Sequence, residues 1–237
     1  VSTNRSAARL ARRGAPEGTV VAADTQTRGR GRADRDWFSP PGVNLYLSVV
    51  LRPPAPAHVL PQLALVAGLA AAAAIRHTCP TLQPRLKWPN DVLLQGRKVA
   101  GILCEAAAGR ERIEYVICGL GLNVNLAPDQ VPPELAPILT SLRAGSGRRV
   151  ARNQLLAAVL NQMESYCEQW CRDGLQPFCE ELNRLSALRG RRVRIAAAKT
   201  GLHGIVTGIG ADGCLLLRTD DGRLHRIRAG DAHIADQ

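Results

Sequence analysis

The densest chemistry in the chain lies in Gln26-Thr27-Arg28-Gly29-Arg30-Gly31-Arg32-Ala33-Asp34-Arg35-Asp36-Trp37, where four arginines fall within eight residues. The planar guanidinium fork matches the geometry of phosphate and carboxylate. Glycines between the arginines let backbone N–H groups approach an anion closely. Trp37 can cover a ring or shield the site. By composition alone, a solvated basic loop accounts for the segment equally well. Neither standard nucleotide loop is present: no GxxxxGK[ST] occurs, and Gly29-x-Gly31 lacks the third glycine and the helix of the dinucleotide fingerprint. A second segment is Lys87-Trp88-Pro89-Asn90-Asp91, followed by Gly96-Arg97-Lys98-Val99-Ala100-Gly101. Lys87 and Lys98 are two of the chain's three lysines, so a compact ammonium is wanted there, although a hairpin-turn lysine is the ordinary alternative for Lys98. Asn90 and Asp91 offer an amide and a carboxylate for a Mg²⁺ bridged to phosphates, or else a plain turn. The third segment is Gly119-Leu120-Gly121-Leu122-Asn123-Val124-Asn125, in which Asn123 can donate to a ligand.

The elements that must position these residues belong to an ordinary globular chain. It has 237 residues, 46% of them apolar and 22% charged. This excludes a disordered chain, a collagen and a small disulfide scaffold. The formal net charge is +11, which points to an anionic partner. Aromatics make up only 3%, too few for the stacking platforms of single-strand nucleic-acid binders. The seven cysteines show no repeated CxxC spacing, and Cys167 and Cys171 fall on an amphipathic helix without a nearby histidine, unlike a zinc site. No secretory signal opens the chain, so a cytoplasmic location is expected, and the start at Val1 rather than Met implies residues upstream. Val59–Ile75 is apolar but broken by Pro61 and Gln62, and reads as a buried helix rather than a membrane span.

The spacing predicts a helix after Ser2-Thr3-Asn4, strands at 19–23 and 44–51, and a long loop at 28–42. A helix follows at 58–77, then a short strand at 85–88. A hairpin over 92–106 turns at Gly96-Arg97, and Gly109-Arg110 turns into a strand at 113–118. Residues 127–137 are irregular, and helices occupy 151–172 and 175–185. The character changes near Gly190: four short strands at 193–196, 204–209, 214–218 and 224–227 form a small all-β unit packed on the first.

Taken in order, these segments closely resemble the biotin protein ligases. The resemblance rests on Ser2-Thr3-Asn4, on Gly29 through Arg32 with Arg35 and Trp37, and on Ser39-Pro40, Gly42 and Asn44 through Ser48. It continues through Lys87 through Asp91, Lys98 through Gly101, and Gly119 through Asn123, over roughly residues 1–125. It implies an α+β fold: a mixed β-sheet flanked by helices, shared with class II aminoacyl-tRNA synthetases, over residues 1–188, and an SH3-like barrel over 189–237. It also implies an ATP-dependent ligase. Biotin and Mg-ATP give biotinyl-5′-AMP and pyrophosphate, and the adenylate acylates one lysine of a biotin carboxyl carrier protein.

By the same resemblance, Ser2, Thr3, Asn4, Gln26, Arg30 and Lys98 hold biotin, with backbone from Gly29 and Gly31. Arg32, Arg35, Trp37 and Asn123 face the nucleotide. Arg30, Arg32, Lys98 and Asp91 carry the chemistry. Asn90 and Asp91 either bind the metal or receive the carrier lysine's proton. The Arg28–Trp37 loop is expected to order as a lid over the labile anhydride. Asp34 stands where a glycine is common, and Arg28 where a small residue is common. The last strand lacks an arginine that some relatives use to reach ATP. No DNA-binding domain, DNA or membrane partner is expected of this chain. An edge strand near 98–106 or 113–118 would serve the carrier or a homodimer. The rivals are a lipoate or octanoate transferase on the same fold, an arginine-rich nucleic-acid module and a non-catalytic biotin sensor.

Overall fold

In the computed structural model, which describes residues 1–33, 35–108, 113–196 and 201–235, the apolar runs resolve into two open sheets and a set of helices. Asp34 and the expected turn at Gly109-Arg110 lie outside those residues. The first sheet contains β1 (Val20–Ala23), β2 (Leu45–Leu51), β3 (Arg85–Lys87), β4 (Asp91–Leu94), β5 (Arg97–Ala108) and β6 (Ile113–Leu122), in the order β1-β2-β6-β5-β4-β3. Every strand pair in it is antiparallel, which corrects the expectation of a mixed sheet. The parallel pairings among the described residues are isolated bridges, such as Leu86 with Ser186. β5 and β6 lie inside the strand order, but β4 pairs with β5 only over 97–101, so residues 102–108 of β5 have β6 as their one strand partner among the described residues. Hairpin chemistry explains this order. Gln95 and Gly96 both take positive φ, the geometry that joins adjacent antiparallel strands through a two-residue turn, here between β4 and β5.

β2 is buried along nearly its whole length because both faces of the sheet are covered. On one face lies α1 (Thr3–Arg12), whose Ala7 and Ala11 pack on Val50, Tyr115 and Ile117. On the other lies α2 (Leu60–Thr78), sandwiched between the sheet and α4 (Arg152–Asp173). The run Ala70–Ala72 with Ala74 is fully buried, so small side chains let α2 approach its neighbours closely. This helix is long and apolar enough to cross a membrane, but most of it is buried inside the protein. The short α3 (Leu142–Ser146) starts on the Ser141 hydroxyl, and α5 (Cys179–Leu185) continues a single 3₁₀ turn.

The chain then crosses to the second sheet. This holds β7 (Arg192–Ala196), β8 (Leu202–Ile209), β9 (Leu215–Arg218), β10 (Leu224–Ile227) and β11 (Asp231–Ile234), all antiparallel in the order β10-β9-β8-β7-β11. The residue pattern gave four strands here; β11 is the fifth. Its one buried side chain, Ala232, carries almost no periodic signal. The two sheets share one apolar core, because Val193, Ile195, Leu215 and Leu217 join the cluster under α2 and α4. Trp88 donates its indole N–H to Gly213 O at 3.0 Å across the junction.

Candidate active site

β6 supplies the floor of the site. Along a strand, alternate residues share a face. Gly119 and Gly121 therefore point toward α1, while Cys118 and Leu120 point into the main core. Gly101 of β5 pairs with Gly121 across the ladder, which leaves a patch of sheet without side chains. The indole of Trp37 lies on that patch, where a Cβ on Gly121 or Gly101 would collide with it. The side chain of Asn4 lies on Gly119 in the same way. Strand-interior glycine marks close approach by another group, and here both approaching groups are identified. The sequence reading placed these glycines at a strand end, because glycine normally punctuates a strand.

Above this floor a cavity of about 850 Å³ opens. Ser2, Thr3, Asn4, Gln26, Arg30, Gly31, Arg32, Arg35, Trp37, Asn90, Asp91, Lys98 and Asn123 all line it. Of the residues singled out from sequence, only Gly29 does not line it. Gly29 sits behind the loop, against the Trp37 carbonyl and the Ser39 hydroxyl, where a side chain has no room. The described residues on either side of Asp34 pair as a tight ladder. Trp37 N donates to Gly29 O at 3.1 Å, Gly31 N donates to Arg35 O at 2.6 Å, and Arg30 bridges Asp36.

A polar network runs from α1 to this loop. Ser2 caps α1 by accepting Arg5 N–H at 3.3 Å. Thr3 donates through its backbone N–H at 2.9 Å and its hydroxyl at 3.2 Å to Gln26 Oε1, and Gln26 Nε2 donates to Ser39 Oγ at 3.1 Å. The buried Ser48 hydroxyl lies 2.8 Å from Thr3 Oγ1 and 2.6 Å from Asn4 Oδ1. Asn4 donates to Glu105 at 2.7 Å, and Glu105 accepts from Arg30 at 2.7 Å. Leu103, which pairs with Gly119 and shares its face, and Trp37 supply the apolar surface, whereas the side chains of Leu47, Ile102 and Leu120 are buried in the main core.

Three more cations are matched to carboxylates. Lys98 Nζ sits 2.6 Å from Asp91 Oδ1 and 5.1 Å from the Trp37 ring centroid. Arg32 reaches Asn90 Oδ1 at 3.2 Å and Asp231 Oδ1 at 3.3 Å, while Arg35 reaches Asp231 Oδ2 at 2.7 Å. The backbone of Lys98 is gripped by residues 138–140: its N–H donates to Ile138 O at 2.7 Å, and its carbonyl accepts from Thr140 at 2.9 Å. This positioning segment was invisible in sequence because it follows the proline-rich stretch 127–137, which reads only as irregular chain. Asp231 of β11 was also missed.

Asn90 and Asp91 are engaged by cations as they stand, so a Mg²⁺ bound there would first displace Lys98 and Arg32. Asp91 Oδ1 holds an ammonium, and Asn90 Oδ1 accepts from a guanidinium. Among the described residues no three His, Cys, Asp or Glu side chains group as metal ligands. Asn123 lines the wall, but its amide is committed. It donates to Thr140 O at 3.1 Å and accepts from Asn44 at 3.3 Å. Behind it, burial outweighs a hydrogen bond with Asn44 and pushes the Tyr46 hydroxyl up to about 12. Two buried polar atoms of the site have no hydrogen-bond partner among the described residues: the Trp37 indole N–H, which lies against the Gly121 floor, and Asp91 Oδ1, which is ion-paired with Lys98. Burial pushes the thiols of Cys79, Cys167, Cys171, Cys179 and Cys214 up, and no described cysteine lines the cavity. A thiolate nucleophile is therefore absent from the described lining.

Comparison with known proteins agrees with this geometry. Residues 2–123 match the biotin/lipoate A/B protein ligase family, and residues 189–233 match the biotin protein ligase C-terminal domain. The chain is 36% identical over 233 residues to the bifunctional ligase/repressor BirA of Bacillus subtilis, covering 98% of this chain and 71% of that protein. It is 35% identical to the biotin–[acetyl-CoA-carboxylase] ligase of Paracoccus denitrificans, covering 94% and 92% of the two chains. The biotin protein ligase of Aquifex aeolicus, solved in complex with biotin and ATP, superposes with a TM-score of 0.86 at 30% identity, over 100% of this chain and 95% of that one. With the cavity, the glycine floor and the paired cations in the matched segments, the chain belongs to the biotin protein ligase family.

Proposed function

We propose that the chain joins biotin to a specific lysine of a biotin carboxyl carrier protein in two steps, by way of biotinyl-5′-AMP. The observation that carries this reading is the cavity itself. It sets Leu103, Trp37 and an amide–hydroxyl network beside the cations of the Gly/Arg loop and Lys98. The Thr3–Gln26 network suits the ureido head, and Leu103 and the Trp37 ring suit the apolar ring and chain.

In the first step the biotin carboxylate attacks the α-phosphate of ATP, anion against anion. Lys98 leaves Asp91 to hold the attacking carboxylate, and Arg30 and Arg32 stabilise charge developing at phosphorus. Magnesium would enter with the nucleotide as part of the substrate. In the second step the carrier's lysine attacks the anhydride carbonyl, and the Asp91 carboxylate, freed from Lys98, takes its proton. AMP leaves. No side chain of the chain is acylated.

The second sheet supports a division into a catalytic unit at 1–188 and an SH3-like unit at 189–237. The second unit contributes a wall of the site rather than a separate one. The decisive experiment is isotopic ATP–pyrophosphate exchange with biotin, lipoate and octanoate in parallel. Exchange with biotin alone is expected. Exchange with lipoate would overturn the substrate assignment, and no exchange with any acid would overturn the ligase reading.

A further inference from the structure

We propose that Lys87 and Arg191 form a pyrophosphate-receiving edge of the cavity, which holds the β- and γ-phosphates of the nucleotide and then the departing pyrophosphate; this rests on the adenylation reading above. Among the described residues, six Lys and Arg side chains line the cavity, against three carboxylates. Four of the six already hold a carboxylate of the chain within 3.3 Å: Arg30 on Glu105, Arg32 and Arg35 on Asp231, and Lys98 on Asp91. Lys87 and Arg191 differ. Neither side chain has a hydrogen bond or ion pair among the described residues.

The fold brings the two together. Lys87 ends β3, and the residue before it, Leu86, bridges Ser186 and accepts the Ala187 N–H at 2.7 Å. Ala187 lines the cavity, and a turn closed by Arg191 N–H on Leu188 O at 2.9 Å then delivers Arg191 to the same rim. The junction between the two sheets thus supplies two unmatched cations to one lip of the cavity. The last strand, which lacks an arginine, borders that lip through Asp231, His233 and Ile234.

The chemistry calls for such an edge. When the carboxylate oxygen bonds to the α-phosphorus, the bond from that phosphorus to the bridging oxygen breaks. Its electron pair leaves on pyrophosphate. The charge that develops there lies away from Lys98, which serves the incoming carboxylate. A cation already matched to a chain carboxylate must exchange partners to meet it, whereas Lys87 and Arg191 need not. A guanidinium and an ammonium without carboxylate partners suit a polyphosphate better than a single carboxylate does.

The test uses the full chain with Lys87→Met, Arg191→Gln and Arg191→Lys. In biotin-dependent exchange, the KM for pyrophosphate and for ATP should rise about tenfold in the first two variants, with the KM for biotin unchanged. Transfer from separately synthesised biotinyl-5′-AMP to the carrier lysine should keep the wild-type rate, and Arg191→Lys should recover part of the loss. Wild-type exchange with an unchanged pyrophosphate KM in both variants would overturn this proposal alone. So would an equal loss in transfer from the preformed adenylate, which would place these residues at the carrier instead. A wild-type chain without biotin-dependent exchange would overturn the adenylation reading and this edge with it.

Discussion

Gly121 has the sharpest consequence of any single position, because its missing side chain is the space that Trp37 fills. In Gly121→Ala the methyl group must evict the indole or bend β6. Overpacking of this kind costs roughly 1–3 kcal/mol. The expected result is a modest fall in thermal stability with a fall of tenfold or more in adenylation, read by pyrophosphate exchange; unchanged exchange would detach Trp37 from the reaction. Lys98 is the second test. Lys98→Ala removes the cation from Asp91 and from the Trp37 face. Adenylation should fall by about 100- to 1,000-fold, the range seen when one stabilising group is removed from a transition state. Most residues of the site were legible in the sequence because their types are unusual for their surroundings: arginines spaced by glycine, two lysines in an arginine-rich chain, an Asn-Asp pair after proline. What the sequence could not show was pairing. Nothing local says that Arg32 and Arg35 share Asp231, about 200 residues away.

At the scale of elements, strand order is where sequence reasoning gave way. The strands at 97–108 and 113–122 were recognisable from their apolar content, yet their place inside the sheet depends on pairings with β2 and β4 that no local pattern encodes. β11 was missed for a related reason: it is short and half exposed, and is held by its ladder with β7 rather than by its own burial. That strand carries the next prediction. Its Asp231 occupies Arg32 and Arg35 while no nucleotide is bound. Asp231→Asn should leave overall stability within about 1 kcal/mol, since these ion pairs are partly exposed. It should also tighten ATP binding severalfold by removing a competing anion. Weaker ATP binding in that variant would show instead that Asp231 orients the arginines for the phosphates.

The whole molecule behaves as one folding unit, because a single apolar cluster runs beneath both sheets. Calorimetry should give one transition whose calorimetric and van 't Hoff enthalpies agree; two separated transitions would show that the second sheet is independent. Stability should also respond to high pH. Burial raises the Tyr46 hydroxyl to about 12 from its ordinary 10.0, so its contribution is intact below pH 10 and is lost as pH rises through 10 to 12. Tyr46→Phe should flatten that alkaline decline, although it leaves the Pro40 carbonyl without its donor and so lowers stability by about 1 kcal/mol at neutral pH. One feature of the site reaches further. With a net charge of +11, the chain attracts every anion near it, from inorganic phosphate to nucleic acid. A bare pocket of arginines would fill with whichever was most abundant. Here four of its cations are already held by the chain's own carboxylates, so entry is an exchange rather than a capture. A small inorganic anion brings too few contacts to displace those four partnerships, whereas a nucleotide can exchange several at once.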